Sequence, residues 1–366
     1  MRIWYDHQIF AMQKYGGVSR YFCRLASTLA AQPDVQTRVI APLHINDGLA
    51  RSYTGSKIAL RVPHVPHTRR IIRIGNQALT MAALAVSGPE VYHATYFSPP
   101  FRTVRHAGAR LVVTVYDMIH ERYPDDFPAI DNTAERKRRA VAEADQIICI
   151  SERTREDLLH FYGVDPGKTT VIHLGFDLDI PSRSLQPNRP EPYLLYVGLR
   201  QGYKNFSRLL QVYARESRIH RQFKLLCFGG GTFTSKERQA MTELGIAPGR
   251  IEQLAGSDQL LASLYARAAA FIYPSLYEGF GIPPLEAMSM DCPVVCTDGG
   301  SVPEIVGGAG LYFDPESSDA MEHAILEVLE NPATASELIA RGRQQLRHYS
   351  WEKCASETLD LYRRII

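Results

Sequence analysis

Two glutamates, Glu278 and Glu286, bracket a bare-backbone loop in the stretch YPSLYEGFGIPPLEAM, residues 273–288. An apolar strand ends at Tyr273, and Gly279, Phe280, Gly281 and Ile282 lead into a helical run that opens on Pro283 and Pro284. Glycine lets the backbone approach a ligand because no Cβ intervenes, and proline suits a first helical position, where an N–H would be unpaired anyway. Strand, glycine loop and helix N-terminus together suit phosphate or sugar hydroxyls, with one carboxylate on each side to accept from hydroxyls. A structural turn flanked by two solvated glutamates would carry the same residues.

Cations complete the pattern. In YLLYVGLRQGYKNFSRLL, Arg200 and Lys204 follow a strand beside Gly198 and Gly202, ahead of a helix beginning near Asn205. Two fixed positive charges in a glycine-bearing loop suit a diphosphate, because they neutralise charge gathering on a departing nucleotide. Earlier, LVVTVYDMIHERYPDDF opens from a strand directly into Tyr116, Asp117, His120 and Glu121. Asp117 and His120 are the candidates there for a polar or general-base role, against a plain charged loop. His93, just past strand residues in VYHATYFSPP, is either a ligand-facing group or a hydrogen-bonded structural histidine. Gly16 and Gly17 lie between the opening strand and the first helix, with Ser19 placed to cap that helix. They lack the GxGxxG spacing of a dinucleotide site. Gly229, Gly230 and Gly231 close another strand, giving room for a nucleotide or merely a turn.

These loops need strands to hold them. Short apolar runs alternate with helical ones: Arg38–Ala41, Val91–Ala94, Leu111–Val115, Gln146–Ile150 and Thr170–His173 in the first half, and Tyr193–Val197, Phe223–Phe228, Ala270–Tyr273, Pro293–Thr297 and Leu311–Phe313 in the second. Helical segments such as Ser19–Ala30 and Ala134–Ala144 separate them. Continuous apolar strands between helices mark parallel sheets covered on both faces. The expected organisation is an α/β chain of two doubly wound, Rossmann-like domains over residues 1–180 and 193–348, a proline-rich linker at 181–192, and a terminal helix at 349–366. Ligands of such sheets gather at the carboxyl ends of the strands, here expected in a cleft between the domains.

Composition fits. The chain has 366 residues, enough for two cores, with 45% hydrophobic and 22% charged residues, as in soluble globular proteins. Six cysteines sit mostly inside apolar runs without metal or disulfide spacing, which implies buried thiols in a reducing compartment. The first residues show no signal-type core, and no window approaches the roughly 18 apolar residues of a membrane span. A cytoplasmic location is expected. Net charge is only +2, and the clusters Arg61, Arg69, Arg70, Arg73 and Arg136, Lys137, Arg138, Arg139 lack interleaved aromatics, so nucleic acid is not expected. Arginines, histidines and apolar residues mix in RVPHVPHTRRIIRIGNQALTMAALAV, a composition suited to peripheral contact with an anionic membrane, about 1 kcal/mol per well-placed cation. An ordinary surface helix is the competing explanation.

The chain resembles the nucleotide-sugar glycosyltransferases of family four, which have the GT-B fold. The residues that carry the resemblance are EGFGIPPLE, the Arg200 and Lys204 pair in VGLRQGYKN, the Gly16–Gly17 loop, ISERTREDLLHFYGV and VPEIVGGAGLYFDP. It implies retaining transfer of a hexose from GDP-mannose or a UDP-hexose to a glycan or lipid-linked glycan in polysaccharide biosynthesis, with no cofactor and no bound metal. Arg200 and Lys204 would hold the donor diphosphate and Glu286 the ribose. Glu278, with the backbone of Gly279 to Ile282, would hold the transferred sugar. Gly16 and Gly17 would close on the donor, His93 and Tyr116 would face the acceptor, and the helix after Trp351 would cross back onto the first domain. Many relatives carry histidine before the aspartate where this chain has Tyr116 and Asp117, which leaves the base open between Asp117, His120 and a group elsewhere. The alternatives are a nucleotide-sugar epimerase of the same architecture and a catalytically silent sugar-nucleotide-binding protein.

Overall fold

A computed structural model describes residues 1–51, 53, 55–63, 69–177 and 191–366. They form two compact units, Met1–Gly175 with Tyr349–Ile366, and Phe176–His348. Most of the proline-rich stretch at 181–192 lies outside the described residues.

In the first unit seven described strands pair in parallel: β1 (Arg2–Tyr5), β2 (Gln36–His44), β3 (Ser56–Arg61), β4 (Val91–Ala94), β5 (Arg110–Val115), β6 (Gln146–Cys149) and β7 (Thr169–Val171), in the order β3-β2-β1-β4-β5-β6-β7. The second holds six, β8 (Tyr193–Val197), β9 (Lys224–Phe228), β10 (Ile251–Leu254), β11 (Ala270–Tyr273), β12 (Val294–Thr297) and β13 (Gly310–Phe313), in the order β10-β9-β8-β11-β12-β13. Both sheets are parallel throughout. The strand order reverses between β1 and β4 in one and between β8 and β11 in the other, and a crevice opens at the carboxyl ends of such a pair.

Sequence dictates this directly. β4, β11 and β12 are buried at every residue, because helices cover both faces of a parallel sheet. The helix Phe206–Arg215 buries Phe206, Leu209, Leu210 and Tyr213, the stripe that a 3.6-residue period aims at the core. Each such aliphatic or aromatic side chain contributes about 1.5–3 kcal/mol on full burial. The expected strands coincide with or overlap those observed, whereas β3 and β10 had no counterpart among them. Both are edge strands, and neither has a fully buried face: β3 is mostly exposed and β10 is half-buried along its length.

The first helix of appreciable length, Gly17–Ala30, starts earlier than Ser19 would set it, with Gly16 as its cap residue and no side-chain cap. Ser19 is inside the first turn, where its amide donates to Gln13 Oε1 at 3.3 Å and its hydroxyl to the Gly16 carbonyl at 3.0 Å. The terminal helix Trp351–Ile365 belongs to the first unit and packs on Gly17–Ala30, burying Trp351, Leu359, Leu361 and Tyr362. All six cysteines are free and buried, and burial raises their thiol pKa values, that of Cys149 to about 12.

Candidate functional site

In the second unit the β8–β11 crossing brings two loops together. The loop after β8 ends at Asn205, whose backbone adopts the left-handed region at φ 55°. Its side-chain amide donates to the Pro274 carbonyl at 3.1 Å and to the Pro315 carbonyl at 2.8 Å, clasping the loops that follow β8, β11 and β13. The Leu276 amide donates to the Tyr203 carbonyl at 2.7 Å and closes the first two loops further. Within this clasp Lys204 Nζ stands 2.6 Å from Glu278 Oε1, in a pair whose side chains are only 16% and 10% exposed. Burial alone would lower the Lys204 pKa, but the Glu278 carboxylate, with Tyr203, outweighs it and holds the ammonium above the ordinary lysine value.

Glu278 is fixed from behind as well as in front. Its carbonyl accepts from the Ser301 amide at 3.1 Å and the Ser301 hydroxyl at 3.0 Å, and that hydroxyl also reaches the Phe280 carbonyl. Gly300, at φ +62°, lets the chains approach: a Cβ there would lie 2.6 Å from the Glu278 amide nitrogen and 2.8 Å from its carbonyl oxygen. Gly279, Phe280 and Gly281 form a buried segment, with Gly281 left-handed at φ +119°. It delivers the chain into the helix Ile282–Ser289, which carries proline in its first turn. Glu286, half-buried on that helix, accepts from the Tyr265 hydroxyl at 3.2 Å.

Arg200 stands apart from this pair. Its side chain is 2% exposed, and Nε donates to Glu237 Oε1 at 2.6 Å. The terminal nitrogens donate to the carbonyls of Gly229, Gly230, Gly231 and Thr232 at 2.9–3.4 Å. Those three glycines are left-handed, and a Cβ on Gly230 would fall 2.6 Å from the guanidinium. The triple-glycine turn is thus a cradle of carbonyls closed on Arg200, and in this arrangement the guanidinium is committed to the turn.

In the first unit, the loop after β5 is organised by a buried lysine. Lys137, 2% exposed, donates to the Asp117 carbonyl and to Glu121, each at 2.8 Å, and Glu121 also accepts from the Tyr162 hydroxyl. Of the basic cluster 136–139, Lys137 is therefore the member that turns inward. Asp117 accepts from the Ile119 amide at 3.0 Å and stays partly exposed. His120 stacks on Phe127 with ring centroids 3.9 Å apart, and burial, then Lys137, lowers its pKa. Its Nδ1 has no hydrogen-bond partner among the described residues. Tyr116 packs edge-on to Tyr21, its hydroxyl buried and its pKa raised by that burial.

His93 is enclosed rather than ligand-facing. It has no exposed surface; Nδ1 lies 2.6 Å from the Tyr362 hydroxyl and Nε2 2.8 Å from Thr114 Oγ1. Burial lowers its pKa to about 3, so it is a neutral link between β4, β5 and the terminal helix, with no surface on which to meet an acceptor. Gly16 borders Gln13, whose side chain a Cβ would strike at 2.2 Å, and Gly17 faces open space.

Sequence reasoning passed over the β1–β4 crossing. Buried Asp6, at the end of β1, accepts from the Thr95 amide at 3.1 Å, the Tyr92 hydroxyl at 3.2 Å and Gln8 Nε2 at 2.7 Å. Gln8 Oε1 in turn accepts from the Ser98 amide at 2.7 Å. The signal was present in YDHQ, an acid and a histidine just past an apolar strand, the same pattern that singled out TVYD. Gln8 and Ser98 also line a cavity of about 850 Å³, together with His7, Phe97, Pro99 and several arginines. Among the described residues no group of three or more His, Cys, Asp or Glu is arranged to hold a metal ion, and no helix is long and apolar enough to cross a membrane.

Comparison with known proteins agrees with this arrangement. Residues 15–180 match the model described as Glycosyltransferase Family 4, and residues 179–345 that described as Glycosyl transferases group 1. The O-antigen chain mannosyltransferase B of Escherichia coli is 27% identical over 95% of this chain and 96% of its own length. Sucrose-phosphate synthase from Thermosynechococcus elongatus superposes with a TM-score of 0.76 at 21% identity, over 100% of this chain and 98% of that one. Anabaena HepE in complex with UDP and glucose gives 0.75 at 16% identity, over 98% of each chain. Two parallel sheets in this order are the GT-B architecture, and the chain is a glycosyltransferase that these two models match, one in each half, over residues 15–345.

Proposed function

We propose that the protein transfers a hexose, with retention, from GDP-mannose or a UDP-hexose to a glycan or lipid-linked glycan in polysaccharide biosynthesis. The observation that carries this is the buried Lys204–Glu278 pair at the β8–β11 crossing, beside the N-terminus of the helix Ile282–Ser289. The mannosyltransferase relative supports the hexose and the polysaccharide, and the UDP in HepE supports a nucleotide donor.

In the resting protein each charge of the pair satisfies the other. An arriving diphosphate competes for the Lys204 ammonium, and Glu278 is released to accept hydrogen bonds from hydroxyls of the sugar. The bond from the anomeric carbon to the diphosphate oxygen then breaks while the acceptor hydroxyl oxygen bonds to that carbon on the same face. The nucleoside diphosphate leaves with the bonding electron pair, and the hydroxyl proton passes to it or to a base on the protein. Lys204 and the helix end supply positive potential where charge gathers on the leaving group. Glu286 serves the ribose, and no metal is needed for the charge. Arg200 acts on the donor side by holding the Gly229–Thr232 turn. Asp117 and His120 remain the candidate bases.

Nucleotide sugars are screened by thermal shift, and those that stabilise the protein are supplied with a glycan acceptor in the presence of EDTA or Mg²⁺. The expected result is one stabilising donor and transfer indifferent to EDTA. Lack of stabilisation by every nucleotide sugar, or release of an isomerised nucleotide sugar without acceptor, would overturn it.

A further inference from the structure

The cavity at the β1–β4 crossing has a one-sided charge. Arg73 on the helix Arg69–Val86, Arg102 on the helix Phe101–His106, and Arg136 and Arg139 on the helix Thr133–Glu143 all line it, and no carboxylate among the described residues does. None of the four guanidiniums closes an ion pair among the described residues. Arg136 exerts its field on Asp131 without reaching it, and its Nε is buried with no hydrogen-bond partner among the described residues. Arg139 lies over the Phe101 ring at 5.1 Å, which holds it at the rim. His7, also in the lining, is kept below its ordinary pKa by burial, so the cavity's positive charge at neutral pH comes from the arginines.

Part of the remaining wall is apolar, and it continues outward. Met12, Ile74 and Met81 line the cavity and are 46%, 58% and 41% exposed, while Ile71 and Leu79 on the same helix are 72% and 52% exposed. Four guanidiniums with no ion pair among the described residues call for an anion with several acceptor oxygens, and exposed aliphatic side chains beside them call for a hydrocarbon. Neither an inorganic anion nor a neutral lipid meets both demands.

We propose that this cavity seats the diphosphate of a lipid-linked acceptor, with the oxygens on the arginines and the first isoprenoid or acyl carbons along Met12, Ile74 and Met81. The assignment rests on the acceptor side of the proposed function and gives that acceptor its chemical class. Its glycan is thereby tethered to the first unit by a group distant from the hydroxyl that reacts.

Farnesyl diphosphate, pyrophosphate and farnesol are titrated into the full chain by calorimetry, without a donor. Farnesyl diphosphate should bind about 10-fold or more tightly than either fragment, and the Arg136→Gln/Arg139→Gln double variant should lose about 10-fold, as expected for lost charge-assisted hydrogen bonds. Arg73→Gln, at an exposed position, is the second variant and should weaken binding in the same direction, while both variants keep the wild-type thermal shift with the donor. Pyrophosphate binding as tightly as farnesyl diphosphate, farnesol binding as tightly, or unchanged affinity in both variants would overturn the assignment. So would equal competition by phosphatidylglycerol vesicles, which would give the cavity to bulk membrane lipid. Because no donor is present, these outcomes are independent of the Lys204–Glu278 site, which stands or falls on the transfer assay.

Discussion

Arg200 and Lys204 are neighbours in sequence with different partners, Glu237 and Glu278, and substitution separates them. Lys204→Ala removes the charge proposed to meet the leaving group, so transfer should fall about 100-fold or more with little change in melting temperature. Glu278 loses a partner there, but its backbone stays held by Ser301. Arg200→Met strips the ligand from four carbonyls and leaves Glu237 uncompensated, and should cost about 3 kcal/mol or more in urea denaturation. If Arg200→Met instead left stability unchanged and abolished only donor binding, the guanidinium would be a diphosphate ligand after all. His93 makes a different, pH-dependent prediction. Its folded pKa of about 3 lies below its ordinary value near 6.5, so the unfolded chain takes up its proton first on acidification. The stability that His93 lends is therefore complete above about pH 6.5 and is lost as pH falls from there toward 3, by at most about 1.4 kcal/mol per pH unit. In His93→Phe the acid limb of stability against pH should be shallower than in the wild type by up to that slope. Parallel limbs between pH 6.5 and 4 would show that His93 takes up its proton in the folded state too.

At the scale of elements, the clasp at Asn205 decides whether Lys204 and Glu278 meet. Asn205→Gly keeps the left-handed backbone available but removes the donors to Pro274 and Pro315, so it isolates the hydrogen bonds from the strain. The expected cost is about 1–3 kcal/mol, with a rise in donor KM larger than the loss in kcat, since the two sides of the pair would no longer be held in register. Unchanged donor KM would separate the clasp from the site. Elements such as β11 and β12 were legible in the sequence because a strand buried on both faces must be apolar at every residue. β3 and β10 were not, since an edge strand needs no such run: SKIALR and IEQL read as surface segments. The loops that carry Glu278 and Lys204 were legible from the glycines and prolines around them, but the ion pair between the two was not, since 74 residues separate them. The true task of His93 was not, because its partner Tyr362 lies 269 residues further along the chain and no local pattern announces it. The partners of Arg200 were hidden for the same reason: its carbonyl acceptors begin 29 residues downstream, in a glycine turn that looked like room for a ligand.

For the molecule as a whole, the chain passes from one unit to the other twice, after Gly175 and again after His348, and the last residues complete the unit in which the chain began. Trp351 is packed so closely against Gly175 that a Cβ there would lie 2.5 Å from the indole and 2.6 Å from the Trp351 Cα. Tyr362 closes the hydrogen-bonded line to His93 and Thr114, and its hydroxyl lies 3.4 Å from that of Tyr5. Removal of residues 349–366 therefore uncovers the Gly17–Ala30 helix and strips a partner from a buried histidine, both within the first unit. Hydrogen exchange of the truncated chain should show amides of β1, β4 and β5 losing protection while those of β8, β11 and β12 keep most of theirs. Tyr362→Phe, which removes one hydroxyl and no packing, should move the same first-unit amides by about 1–2 kcal/mol and leave the second unit untouched. Equal protection of β4 in the truncated and full chains would mean that the terminal helix is an ornament on an already complete fold. Uniform loss in both units would mean instead that the two crossings fuse them into one cooperative body.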